Sequence, residues 1–181
     1  MRNSECGIKN TVFRTSLGWA GVAATGQGIC MVVLPKKDKA AVERALTSSE
    51  CGAQSGEITG RANVPMLKKA IKVLQQYFSG ERVSFDLLLD LRYHTPFQQA
   101  VWHATAEIPL GETRSYAWIA SQIRNPRAVR AVGQALGANP VPIIIPCHRV
   151  ISSSGALGGF SGGTGMKEKL LELERHGKKR H

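Results

Sequence analysis
The residues of this chain best suited to chemistry stand together at Cys147-His148-Arg149, a thiol beside a base and a permanent cation. They close the segment Asn139 to Arg149, which reads Asn-Pro-Val-Pro-Ile-Ile-Ile-Pro-Cys-His-Arg. Its three prolines fix φ, remove backbone donors and push the residues before them toward extended conformations, so the thiol sits in a stiff segment rather than a supple loop. Rigidity of this kind suits positioning. The run Ile143-Ile144-Ile145 is expected to be buried, and a Cys-His-Arg triplet is an odd sequel to an apolar run if packing were the only purpose. Two readings stay open on these residues alone. A cysteine flanked by Ile and Pro is often a small buried hydrophobe, whereas a thiol with an adjacent base can be an activated nucleophile.

The rest of the chain must position that segment. Its 181 residues are enough for two small domains, each with its own core. The first, residues 1–92, reads as a small α/β scaffold with an antiparallel sheet. Thr11–Thr15, Trp19–Thr25 and Gly28–Leu34 are short β-forming runs separated by turn residues. A helix over Asp38–Leu46 follows, then a Ser/Gly-rich loop over Thr47–Gly60, a helix from Pro65 to Gly80, and a strand over Val83–Leu91. The second domain, residues 93–181, reads as a mostly helical winged helix-turn-helix. Thr95 caps a helix with Pro96 at its first position and Phe97, Val101 and Ala104 on one face. Ser115 opens a helix over Tyr116–Ile123, and Asn125-Pro126 opens another over Pro126–Leu136, closed by Gly137. A hairpin wing is expected over Val150–Leu157. A glycine-rich loop follows at 158–163, then a final helix over Thr164–His176 with Met166, Leu170 and Leu173 facing inward, and a basic tail at 178–181.

Charge narrows the partner. The formal net charge is +11, and no acid lies between Glu112 and Glu168, where Arg114, Arg124, Arg127, Arg130, Arg149 and Lys167 all fall. Arginine forks onto phosphates and stacks on bases better than lysine does, so nucleic acid is the expected partner. The four cysteines Cys6, Cys30, Cys51 and Cys147 form no C-x-x-C pair and follow no secretory signal, which points to a reducing, intracellular setting: cytoplasmic, nucleoid-associated in a bacterium or nuclear in a eukaryote. No apolar run approaches the roughly 20 residues that a membrane helix needs. No cofactor or metal is expected.

Pro-Cys-His-Arg-Val at 146–150, preceded by Ala-Asn-Pro-Val-Pro-Ile-Ile-Ile and followed by Ser-Ser-Gly-Ala-Leu-Gly-Gly-Phe-Ser-Gly-Gly, resembles the active-site segment of the O6-alkylguanine-DNA alkyltransferases, the methylated-DNA–protein-cysteine methyltransferases. The likeness runs from about Thr95 to Gly177 and includes Ser115-Tyr116 and Arg130-Ala131-Val132-Gly133. It implies that Cys147 accepts the alkyl group, that His148 is its base through a water, and that Glu174 orients His148. It implies further that Asn139 braces the hinge between recognition helix and active-site segment. Tyr116, Ser161 and the backbone at Val150 and Phe160 would line a guanine pocket. Arg130 would fill the gap left by an extruded nucleotide, with Arg124, Arg127 and Ser115 on the DNA side. The implied substrate is double-stranded DNA carrying O6-alkylguanine, with O4-alkylthymine beside it, and the implied acting form is a monomer. Phe160 departs from the Tyr of some relatives, which costs little if the contact is a backbone N–H. The N-terminal zinc ligands of some relatives are not reproduced, since only Cys6 and Cys30 could be compared with them. Two other readings compete: a non-catalytic winged-helix DNA-binding regulator, which leaves Cys147, His148 and Glu174 without a task, and a cysteine hydrolase, whose Cys and His come from distant sequence positions.

Overall fold
The computed structural model describes residues 8–48, 64–160 and 162–177. The chain divides into two compact units, between Tyr93 and His94. In the first, β1 (Lys9–Thr15), β2 (Gly18–Ala24) and β3 (Ile29–Lys36) form an antiparallel meander in the order β1-β2-β3, as the alternating β-forming runs predict. Strand pleating sends alternate residues to opposite faces. One face takes α1 (Lys39–Ser48), whose Val42 and Leu46 pack with Ala23, Met31 and Val33. Asp38 accepts a hydrogen bond from the Ala40 N–H at 3.0 Å, the acidic cap that the sequence suggested. The helix α2 (Val64–Phe78) also packs on the sheet and buries Leu67, Ala70, Leu74, Tyr77 and Phe78, a stripe at helical spacing.

The expected strand over residues 83–91 does not form. Exposure alternates along it with the period of a strand, but its contact with the sheet is a single parallel bridge between Leu89 and Ile29. The reason is local. The Leu87 N–H bonds back to the Phe85 carbonyl at 3.0 Å, a three-residue turn that bends the segment out of any continuous ladder. Its end is nevertheless well anchored: buried Asp90 accepts from the Thr25 hydroxyl at 2.6 Å and from Arg92 Nε and Nη2 at 2.7 and 2.9 Å. The expected loop lies outside the described residues beyond Ser48, as do Cys6, Cys51, Ser161 and the tail at 178–181.

The second unit is helical. In α3 (Pro96–Ala106), Thr95 and Gln98 form a reciprocal capping box. Its buried residues are Val101, Trp102 and Thr105, with Phe97 and Ala104 only half-buried. The face is therefore rotated from the expected one, because the Trp102 indole turns inward to donate to the Ala135 carbonyl at 2.8 Å. Ser115 caps α4 (Tyr116–Gln122) by accepting from the Trp118 N–H at 3.1 Å. The next helix, α5 (Val129–Gly137), starts three residues later than expected. The Ala128 N–H bonds to the Asn125 carbonyl at 2.9 Å, closing a turn with Pro126 and Arg127 at its centre, where the fixed φ of proline is favourable. Arg127 thus belongs to the turn and not to the helix.

A single 3-10 turn, Cys147–Arg149, leads into β5 (Val150–Ile151), which pairs in parallel with β4 (Arg114–Ser115). The expected hairpin ladder over 150–157 is reduced to a turn, since the Ser152 N–H reaches the Ala156 carbonyl at 2.9 Å and no strand follows. The last helix, α6 (Thr164–His176), buries Lys167, Leu170, Leu171 and Glu174, whereas Met166 and Leu173 are half-buried. Among the described residues no helix is long and apolar enough to cross a membrane.

Asp90 is held at a pKa of about 2, below the ordinary 3.8, first by its hydrogen bonds from Arg92, with burial opposing the shift. A carboxylate depressed on folding contributes stability above its ordinary pKa and loses that contribution as pH falls through the folded value. Asp90→Asn is expected to cost about 1–3 kcal/mol at neutral pH. The deficit should shrink as pH falls from near 4 toward 2, which urea unfolding measured across that range will read.

Candidate active site
The Asn139–Arg149 segment is held from within. Asn139 Oδ1 accepts from the Val141 N–H at 3.0 Å, while its Nδ2 donates to the Ile145 carbonyl at 2.9 Å and to Cys147 Sγ at 3.1 Å. One amide therefore closes the segment and touches the thiol. Ile143 sits at φ 77°, a left-handed conformation that costs a β-branched residue about 1–3 kcal/mol and persists only when its surroundings impose it. Those surroundings are a buried run in which every residue from Val141 to Val150 is enclosed.

Behind the thiol lies a buried ionic cluster. Glu174, on α6, accepts four hydrogen bonds: from His148 Nε2 at 2.7 Å, from Arg149 Nε and Nη2 at 2.9 Å each, and from the Gly111 N–H at 3.1 Å. Arg149 Nη1 donates to the Ile108 carbonyl at 2.6 Å, so its guanidinium is spoken for on both sides. Burial pushes the Glu174 carboxyl up, but the hydrogen bonds and charges of His148 and Arg149 outweigh it and hold the pKa at about 2. An ionised carboxylate can only accept, so Nε2 of His148 must be the protonated ring nitrogen. Burial lowers the His148 pKa despite Glu174, which keeps the ring neutral and leaves its basic lone pair on Nδ1.

Cys147 is 5% exposed, and burial is the main reason that its thiol pKa is raised. Opposing this are the Asn139 hydrogen bond, the Lys167 charge, and the backbone N–H groups of Cys147 and His148. Lys167 is fully buried, a rarity for lysine without partners. Its Nζ donates to the Val150 carbonyl at 2.6 Å and to the Leu157 carbonyl, and it lies 5.9 Å from the Tyr116 ring centre. Burial raises the Tyr116 hydroxyl pKa, with a smaller contribution from Cys147. The glycine-rich loop closes on the same ring. Gly158 has φ 66°, and a Cβ there would lie 2.7 Å from the Tyr116 hydroxyl oxygen.

The structure thus brings Cys147, His148, Glu174, Asn139, Tyr116 and Val150 into one neighbourhood. The Val150 N–H is used within the turn, bonded to the Cys147 carbonyl. Phe160 is half-buried, and its carbonyl accepts from the Gly163 N–H at 2.9 Å. Arg124, Arg127 and Arg130 are exposed around the α4–α5 turn, Arg124 with φ 55°, and Ser115 is spent on its cap. Arg149 and Lys167, counted among the basic residues of a nucleic-acid face, are buried and belong to the site instead. Lys167 is the site residue that the sequence reading missed. Its signal was present: positions 167, 170, 171 and 174 form one stripe of α6 at i, i+3, i+4, i+7, and a Lys and a Glu on the apolar stripe mark ionisable groups forced inward.

Fold and site together define a two-unit α/β protein whose helix-turn-helix half carries a thiol backed by a buried His-Glu-Arg cluster. The chain belongs to the 6-O-methylguanine DNA methyltransferase family: that family's ribonuclease-like domain matches residues 8–91 and its DNA binding domain matches residues 96–176. A Mycobacterium bovis protein named methylated-DNA–protein-cysteine methyltransferase is 58% identical over 106 residues, 59% of this chain and 64% of the relative's length. The matched stretch is thus under two-thirds of that relative. The crystal structure of Mycobacterium tuberculosis O6-methylguanine methyltransferase is similar with TM-score 0.72 and 38% identity, over 94% of each chain. A crystal structure of Mycobacterium tuberculosis OGT in complex with DNA gives TM-score 0.72 and 39% identity over 92% of each chain.

The Lys167 charge lowers the thiol pKa, so removing it has a defined sign. Lys167→Met is expected to move the pH profile of iodoacetamide labelling at Cys147 to higher pH and to slow labelling several-fold at neutral pH. An unmoved profile in a folded variant would separate Lys167 from the thiol.

Proposed function
We propose that this protein repairs DNA by transferring the alkyl group of O6-alkylguanine, and of O4-alkylthymine, directly to Cys147, acting as a monomer and once per molecule. The observation that carries the reading is the buried thiol contacted by Asn139 Nδ2 in front of a neutral His148 whose Nε2–H is held by Glu174. A raised thiol pKa means that Cys147 rests protonated, so ionisation has to accompany reaction. His148 Nδ1 takes the thiol proton through a water. Sulfur attacks the saturated carbon, a C–S bond forms, the C–O6 bond breaks, and its electron pair leaves with the base. Charge developing on that base is met by the Tyr116 hydroxyl and by N–H groups of the glycine-rich loop at Phe160. The product is a thioether, which neither water nor His148 can cleave as they would a thioester, so turnover stops at one. No metal or cofactor takes part in this scheme.

The target atom of a paired base faces its partner inside the duplex, and the nucleotide must leave the stack at a cost of a few kcal/mol. Arg130, exposed on the second turn-facing helix, is the side chain assigned to the vacancy. Arg124 and Arg127 are assigned to the phosphates. A regulator that only binds DNA would use these same arginines, but it gives no task to buried Cys147, His148, Glu174 and Lys167, whose enclosure is costly.

Cys147→Ser is expected to bind duplex DNA with near-parent affinity and to gain no mass on exposure to DNA containing O6-methylguanine, whereas the parent gains one methyl per molecule. Methyl transfer by the variant near the parent rate would overturn the acceptor. Arg130→Ala is expected to slow repair of duplex far more than reaction with the free base O6-benzylguanine, which needs no extrusion. Equal slowing on both substrates would remove Arg130 from the vacancy.

A further inference from the structure
The proposed reaction leaves the first unit without a task beyond scaffolding, yet one end of its sheet carries an organised group of cations. The register places Arg14 directly opposite Trp19, and Trp19 directly opposite Lys36, so these three side chains lie in one row on one face. The Arg14 guanidinium is 5.2 Å from the centre of the Trp19 ring, and Lys39 Nζ, from the start of α1, is 5.7 Å from it. Trp19 itself is half-buried against the cluster that joins α1 to the sheet. The ring therefore acts as a fixed post between two cations, which such contacts hold in place by electrostatic attraction to the ring face. Lys37 extends the group by one residue, and all four cations are exposed.

The row is rigid for a steric reason. Gly18 has φ 130°, and a Cβ there would lie 2.5 Å from the Lys36 carbonyl oxygen, so only glycine lets the β1–β2 turn press against the end of β3. Two acids are nearby. Glu43 lies 3.4 Å from Lys39, and Asp38 lies 3.7 Å from Arg44 while capping α1. Neither is paired with Arg14, Lys36 or Lys37, for which no ion pair is found among the described residues. Exposed cations grouped at one sheet end, with Arg14 and Lys39 held against the Trp19 ring and with no ion pair at Arg14, Lys36 or Lys37 among the described residues, match a polyanion.

We propose that the end of the N-terminal sheet formed by Arg14, Trp19, Lys36, Lys37 and Lys39 is a second contact surface for the phosphate backbone of duplex DNA, independent of base sequence and damage. It rests on the reading that DNA is the partner, and it adds to that reading a site on the unit that carries no reactive group. Each phosphate contact releases condensed counterions, so its loss lowers the slope of log K against log salt by about 0.9 and weakens binding about tenfold at 0.1 M salt.

The test compares two full-length double variants of equal charge change, Arg14→Gln with Lys36→Gln, and Lys68→Gln with Lys72→Gln on the exposed face of α2. Binding to undamaged duplex is titrated across salt by fluorescence anisotropy, and reaction with free O6-benzylguanine is followed separately. The first variant is expected to flatten the salt slope by about two units, the second to leave it nearly unchanged, and both to react with the free base at the parent rate. An unchanged slope in the first variant overturns the proposal. Equal flattening by both also overturns it, since net charge and not this surface would then be responsible. Failure of the parent to react with the free base would instead strike the alkyl-transfer reading and leave the binding comparison standing.

Discussion
Everything in the C-terminal unit depends on one buried carboxylate. Glu174 would cost several kcal/mol to enclose as a bare ion, and it is enclosed because four donors from three residues meet on its two oxygens. Those donors come from the 3-10 turn that carries Cys147 and from the loop after α3, so the charge ties α6 to both. Arg149 and His148 do different work there. The guanidinium neutralises the carboxylate permanently and bridges to the Ile108 carbonyl. The imidazole is oriented by it and stays neutral. A carboxylate serving an imidazole alone would have drawn it toward the protonated form; sharing it with Arg149 lets burial prevail at His148.

The second constraint is backbone strain confined to a short stretch. Ile143 at positive φ, bracketed by prolines 140, 142 and 146, could not persist in an open loop. It persists because Asn139 fastens both ends of the stretch and because no side chain from Val141 to Val150 is exposed. The same amide reaches the thiol. Positioning the nucleophile and locking the segment are therefore one structural act, and a rearrangement that loosened either would loosen the other.

The two units differ in kind. The first is a sheet with helices packed on it, and among its described residues the charged groups lie outside except for Asp90, whose enclosed carboxylate ties down the unit's last segment. The second carries its charges inside. Burying Lys167 against two carbonyls beside Tyr116, and Arg149 against Glu174, removes two cations from the surface that composition alone would have assigned to DNA. What remains exposed around the α4–α5 turn is Arg124, Arg127 and Arg130.

The sequence by itself was enough for the meander, for most helices, and for the reactive segment, because each is written in local rules. β-Forming runs between turn residues define strands, Thr95 with Gln98 and Ser115 define helix starts, and the prolines around the isoleucines define a stiff segment ending in Cys-His-Arg. The resemblance around Pro146 to Val150 supplied the partner for His148, twenty-six residues away at Glu174, which no local rule could have supplied. Tertiary structure decided the rest. Residues 83–91 have strand periodicity, yet a strand also needs a ladder partner, and a turn at Phe85–Leu87 denies it one. Pro126 can open a helix or sit in a turn, and the Asn125–Ala128 bond chose the turn. Arg149 and Lys167 read as surface cations because charge along a chain says nothing of direction; only the arrival of Glu174, and of the Val150 and Leu157 carbonyls, makes burying them affordable in free energy.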